Sequence, residues 1–394
     1  MRRPVPAVLA LIVTLALPFA SALRLTAAGD HDYDHPTLPI GSPLPDFKLP
    51  GVDGHDYTPA DFAQAGVFVI IFTSNHCPTA QAYQERIKRL VTDYTPRGVA
   101  FLAVNANHAD AVRLDEMGYT DLGDTFAEMK ERAAHEHYNF PYVDDGPTQT
   151  LVEKFGAVAT PHVFIFDRSR HLRFNGRIDD SEREDYATKH DTHDALEALL
   201  AGREPAVTQT RVFGCSIKWR AKTADNLRWL AKVAQEPVAL AKADADLLRE
   251  LRANTGTGKV RVINAWATWC GPCVAEFDEL LEQNLRFRQR DFELITLAAQ
   301  FPEEEANVLK FLQKHHASTR NLMFGTTDKY TLIEALDPKW DGALPYTIAI
   351  GPDGQVLYRE TGSLDFLALR RAIVPALNAL TPWGGLSPIP PVKR

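Results

Sequence analysis

Cysteine is scarce in this chain, four residues among 394. Four thiols cannot staple a disulfide-built scaffold, so the fold has to rest on an apolar core. Zinc is disfavoured by what is missing, because a Cys-x-x-Cys pair needs two further ligands at domain-scale spacing. Cys77 and Cys215 stand alone, and the pairs His135/His137, His190/His193 and His315/His316 lack cysteine or carboxylate companions at convincing spacing. Those histidines are expected at the surface, and no metal is expected. Positive charge is not in excess either. There are 43 lysines and arginines against 51 acidic residues, a net charge of −8, which argues against a nucleic-acid binder. No phosphate-cradling glycine loop, dinucleotide fingerprint or Ser-His-Asp signature is present, so no cofactor is expected. Beyond the N-terminus no run is apolar enough to span a bilayer.

The N-terminus itself is different. Arg2 and Arg3 precede an apolar stretch from Val5 to Phe19, and Ala20-Ser21-Ala22 follows as a small-x-small site. Residues 1–22 read as a secretory signal peptide, with an uncleaved membrane anchor as the competing reading. Residues 23–39 read as a flexible leader, within an exposed stretch from Thr26 to Pro45, and residues 382–394 as a Pro/Gly-rich tail. Export to the periplasm would put the thiols in an oxidising compartment. A reducing role there would need a thiol electron donor in the membrane.

What is present is Trp269-Cys270-Gly271-Pro272-Cys273, between an apolar run (Val260 to Trp266) and an amphipathic one (Val274 to Phe287). That is strand, turn, helix, with two thiols at a helix N-terminus. Exposed N–H groups and partial positive charge there stabilise a thiolate. The two-residue spacer puts the second sulfur within disulfide reach of the first. The implied chemistry is dithiol–disulfide exchange, with Cys270 attacking and Cys273 resolving.

The order of elements occurs twice. After Cys270 come a strand at Phe292 to Ala298, a helix from Pro302, a short strand near Asn321, then Leu344-Pro345 leading a strand, a hairpin at Asp353-Gly354 and a last helix. The first half has an apolar run from Val67 to Phe72, Cys77-Pro78 at a turn, a helix from Thr79 to Leu90 and a strand from Gly98 to Val104. Thr160-Pro161 then leads Val163 to Phe166, and a helix runs from Thr192 to Leu200. Fold class is α/β, two tandem thioredoxin-like domains, each a central mixed sheet flanked by helices. The boundaries are drawn at 40–205 and 237–381, joined by a connecting segment, 206–236, that holds Cys215.

On Asn264 to Cys273, Glu276 and Leu344-Pro345, the second half resembles the TlpA/ResA group of exported thioredoxin-like proteins. The first half resembles the redoxin branch related to alkyl hydroperoxide reductase and thiol-specific antioxidant proteins. The residues that carry this are Ser74 to Pro78, Asn139-Phe140-Pro141-Tyr142, Thr160-Pro161, Gly176 to Asp180 and Gly214 to Trp219. The resemblance implies cis prolines at Pro161 and Pro345, opposite the active cysteine, with Thr160 and Leu344 shaping substrate contact. It also implies that Glu276, one helical turn past Cys273, assists proton transfer. Trp269, Gly271 and Pro272 support the pair.

Cys77 is harder to read. Ser74 stands where many relatives carry another cysteine, which removes a local disulfide. Ser74-x-x-Cys77 fits part of a peroxide-reducing site, although position 70 is Ile where that site would have proline. Alternatively Cys77 pairs with Cys215. His76 either favours a Cys77 thiolate or is a solvated loop residue. Three functions follow. The leading one is an exported thiol–disulfide oxidoreductase acting on protein thiols and disulfides through Cys270/Cys273. The second is a thiol peroxidase in which the second half recycles Cys77 after peroxide. The third is a client- or copper-binding redox assembly factor.

Overall fold

Two mixed sheets carry the described part of the chain, residues 35–383 of a computed structural model, and each is built round a strand apolar at nearly every position. The signal-peptide reading, most of the leader and residues 384–394 of the tail lie outside the described residues. In the first half, β1 (Leu49–Pro50) and β2 (Asp56–Tyr57) form a small ribbon ahead of β3 (Val67–Thr73), which is buried along its whole length. There follow α1 (Pro78–Tyr94), β4 (Val99–Asn105), α2 (Phe126–His135), β5 (Tyr142–Asp144), α3 (Thr150–Phe155), β6 (Ala159–Thr160), β7 (His162–Phe166), β8 (Leu172–Gly176) and α4 (Asp191–Leu200). The sheet order is β5-β4-β3-β7-β8. Because β3 is central and covered on both faces, its sequence is a continuous apolar run rather than an alternation. Phe68, Ile70 and Phe72 pack on one side with Phe155 of α3, and Val67, Val69 and Ile71 on the other with α1 and α4.

The segment between the halves holds β9 (Cys215–Ser216) and α5 (Thr223–Val233). The second half then runs β10 (Leu240–Ala243), α6 (Ala245–Ala253), β11 (Val260–Trp266), α7 (Gly271–Phe287), β12 (Phe292–Ala298), α8 (Glu305–Lys314), β13 (Arg320–Phe324), α9 (Lys329–Leu336), β14 (Tyr346–Ile350), β15 (Val356–Thr361) and α10 (Phe366–Leu380). Its sheet order is β10-β13-β12-β11-β14-β15, with β11 parallel to β12 and antiparallel to β14. Trp266 of β11 packs in tilted contact against Phe277 of α7 and Phe311 of α8. Among the described residues, no helix is long and apolar enough to cross a membrane.

One stretch differs from its sequence reading, and a second is more ordered than the sequence tells. Residues 37–45 are not an exposed leader. Leu38 N–H donates to Phe155 O and Gly41 N–H to Leu172 O, and Leu38, Ile40 and Leu44 rest on the first core. Their apolar side chains bury surface that a free leader would leave in water. Residues 206–236, the connecting segment, are packed on the first half. β9 pairs antiparallel with β6, Ile217 is buried in the first core, and α5 lies against residues 109–111.

Candidate functional site

In the second half, β11 delivers the chain to the site. Ala299 N–H donates to Trp266 O and Thr268 N–H to Gln300 Oε1 at 2.8 Å, fixing the turn after the strand. Cys270 is the N-cap of α7, and Cys273 N–H donates to Cys270 Sγ at 3.4 Å. Pro272 falls in the first turn, where a missing N–H costs nothing. Cys270 and Cys273 are joined as a disulfide, with Cα atoms 5.3 Å apart. Cys270 is 6% exposed and Cys273 1%, so the sulfur a partner can meet is Cys270. Trp269 beside it is 68% exposed, and a Cβ on Gly271 would touch nothing, which leaves this face open. The Leu344–Pro345 peptide is cis and leads β14.

Glu276 lies one turn beyond Cys273 on α7. Leu364 N–H donates to its Oε2 at 2.9 Å, while its Oε1 is buried without a partner. Burial pushes this carboxyl up from its ordinary value, against the lowering pull of Leu364 N–H. A half-buried carboxyl that ionises reluctantly suits the uptake and release of a proton.

The first half builds a second arrangement from the same parts. Cys77 is the N-cap of α1, and Ala80 N–H donates to its Sγ at 3.3 Å, as Cys273 N–H does to Cys270. By helix position Cys77 therefore matches Cys270, and Ala80 stands where Cys273 would. His76 is not a solvated loop residue. It is 2% exposed, and its Nδ1 lies 2.5 Å from Asp124 Oδ2. Asp124 also accepts from the N–H groups of Asn75 and His76 and from Asn107 Nδ2. Burial works against a charged His76, but the Asp124 carboxylate outweighs it and holds the imidazole above its ordinary pKa. The reciprocal effect holds Asp124 down, with burial opposing and His76 prevailing. Asp124 and Asn107 carry no motif in the sequence. The only available signal was an unexplained acid in a loop.

Cys77 and Cys215 are both free thiols here, and β9 places Cys215 opposite Thr160, beside the Cys77 site. Burial pushes the Cys77 thiol up, but hydrogen bonding from Cys215, the His76 charge and Ala80 N–H bring it down to about 6. Cys215 is correspondingly raised by its hydrogen bond to Cys77 and by burial. When Cys77 is protonated it donates to Thr160 O at 3.2 Å instead. Ser74 Oγ lies 3.2 Å from Thr160 Oγ1, and the Thr160–Pro161 peptide is cis. Among the described residues no cluster of three or more His, Cys, Asp or Glu side chains could hold a metal ion.

Fold and site together define tandem thioredoxin-like domains with a bonded dithiol in the second. Comparison with known families agrees. Residues 40–175 match the AhpC/TSA family model and residues 243–367 the Redoxin model, in tandem. The thiol:disulfide interchange protein CycY of Rhizobium leguminosarum bv. viciae is 26% identical over 150 residues, 36% of this chain and 70% of that protein. The thiol-disulfide oxidoreductase ResA of Bacillus subtilis (strain 168) is 29% identical over 107 residues, 27% of this chain and 55% of that protein. Among solved structures, an uncharacterized conserved protein from Geobacillus kaustophilus is 36% identical over 46% of this chain and 93% of its own, with a TM-score of 0.42.

Proposed function

We propose that this protein is a thiol–disulfide oxidoreductase that exchanges disulfides with protein clients through Cys270 and Cys273. The observation that carries this is the bonded pair at the start of α7, with Cys270 the more accessible sulfur beside an exposed Trp269. Once the pair is reduced, the Cys270 thiolate, held at the helix N-terminus, attacks a client disulfide and forms a mixed disulfide. Cys273 then attacks Cys270 Sγ and releases the client's second thiol. Glu276 takes the proton that Cys273 gives up. Pro345 and Leu344 shape the groove beside the pair. The N-terminal signal reading supports placing this exchange outside the cytoplasm, with a membrane thiol donor as the source of electrons.

The test is insulin reduction by the full chain. Cys270→Ser drops the rate to that of the uncatalysed control. Cys273→Ser accumulates mixed disulfides that non-reducing electrophoresis resolves. Full activity in the Cys270 variant would sink the assignment. Equilibration with glutathione gives the direction: a potential near about −270 mV marks a reductant, and one near about −120 mV an oxidant.

A further inference from the structure

The two halves treat the backbone before their cis prolines differently. In the second half, Ala343–Leu344 pairs with no strand among the described residues. In the first half, the corresponding Ala159–Thr160 is already paired, because β9 lies antiparallel to it with Cys215 opposite Thr160. Gly214 makes that approach possible. Its φ is +135, and a Cβ there would come within 2.1 Å of Thr160 O. The strand is pinned downstream. Ile217 is buried, Lys218 N–H donates to Asn107 Oδ1 at 2.8 Å, and Arg220 N–H donates to Gln149 Oε1 at 2.8 Å. An extended client peptide would add to this sheet edge by the same backbone bonds.

We propose that Cys77 and Cys215 are a second dithiol–disulfide couple, in which the chain's own 214–219 segment sits where a client's strand would pair, so that this site exchanges with low-molecular-weight disulfides and not with protein clients. The sulfur of Cys215 is the entry point, since Cys77 is fully buried and Cys215 only partly so. In the oxidative direction Cys215 gives up its proton and attacks one sulfur of a small disulfide, RSSR. That S–S bond breaks, and the departing RS⁻ takes the proton as RSH. The Cys77 thiolate then attacks Cys215 Sγ, breaks the bond to SR and releases the second RS⁻. Two protein sulfurs lose two electrons, and one RSSR becomes one RSH and one RS⁻. In reverse, an incoming thiolate attacks Cys215 and Cys77 leaves. The low pKa given to Cys77 by Cys215, His76 and Ala80 makes it the better leaving group.

The experiment uses the full chain carrying Cys270→Ser and Cys273→Ser, so that only Cys77 and Cys215 remain and a failure here leaves the Cys270/Cys273 assignment untouched. Exposure to glutathione disulfide is expected to give a protein two hydrogens lighter, with one Cys77–Cys215 peptide on mapping. Adding Cys77→Ser leaves glutathione bound at Cys215. Adding Cys215→Ser leaves Cys77 unmodified beneath the docked strand. The reduced form reacts with insulin at least about tenfold more slowly than with glutathione disulfide, because backbone pairing is blocked. The same peptide is expected from oxidised parent protein, which checks the result without any substitution. Two free cysteines after oxidation, glutathione on Cys77 in the Cys215 variant, or insulin reduced as fast as glutathione disulfide would each overturn the proposal.

Discussion

At the scale of single residues, the two cysteine sites differ in how openly the sequence declares them. Cys270 and Cys273 were legible because helix N-terminus, spacer and thiols are contiguous. The Cys77 site was legible only in part: Ser74, Cys77 and a pairing with Cys215 could be read, but Asp124 and Asn107 could not, because only the fold brings them to His76. His76 illustrates the limit. Its neighbour in sequence is a cysteine, but its charge is set by an acid 48 positions away. In protein whose Cys270–Cys273 bond is kept oxidised, only Cys77 and Cys215 titrate as thiols. The ultraviolet thiolate signal should then rise with a midpoint near about 6. Asp124→Asn removes the carboxylate that keeps His76 charged, so the midpoint should move up. An unchanged midpoint would mean His76 does not support the thiolate. The stability of the pair has its own pH window. Asp124 is depressed, so its contribution is present above 3.8 and lost as pH falls through its lower folded value. His76 is raised, so its contribution is complete below 6.5 and lost as pH rises through its higher folded value. Urea unfolding should therefore separate parent and Asp124→Asn most between 3.8 and 6.5, and less above.

At the scale of elements, the strands were the easiest to read. β11 and β12 have the bounds their apolar runs give, and β3 extends one residue further, to Thr73. All three are inner strands covered on both faces, so their sequences stay mostly apolar despite Arg261 and Asn264 in β11 and Glu293 in β12. The short helices α3, α6 and α9 were missed. α3 has six residues and α9 eight, too few turns for a clear period. β9 was missed for another reason: two residues have no pattern, and only pairing with β6 makes them a strand. Where an apolar element was legible, its weight can be tested. Phe277 of α7 is fully buried between Trp266 and Phe311. Phe277→Ala should cost about 3–5 kcal/mol, from lost transfer energy and the cavity left behind. Chemical denaturation measures it, and a loss under about 1 kcal/mol would mean that the site collapses to fill the space.

At the scale of the whole molecule, the halves meet along a seam of arginines. Arg290 donates to Gly118 O in the first half and to Leu377 O and Thr381 O in the second, and lies 3.7 Å over the Tyr119 ring. Arg286 donates to Thr120 O at 3.1 Å, Arg370 to Asp121 O at 2.6 Å, and Arg371 pairs with Asp121 and Glu131. None of this was legible, because a surface arginine and a seam arginine look alike in sequence. Arg286 and Arg290 are nonetheless 4% and 8% exposed, which long cations reach only when paired or capped by carbonyls. Arg290→Met would leave Gly118 O without its donor, at a cost of about 1–3 kcal/mol. In calorimetry the parent should unfold in one transition and the variant in two, one for each half. A single transition in the variant would show that the seam does not depend on this residue.

Trp269 has a consequence of an optical kind. An indole open to water emits at long wavelength, and a disulfide alongside quenches that emission by accepting an electron from the excited ring. Trp269 is exposed and adjoins Cys270, whereas Trp266 lies sealed in the core. Opening the Cys270–Cys273 bond therefore brightens the red edge of the fluorescence more than the blue. The protein reports its own oxidation state as colour and intensity, without a label and in real time.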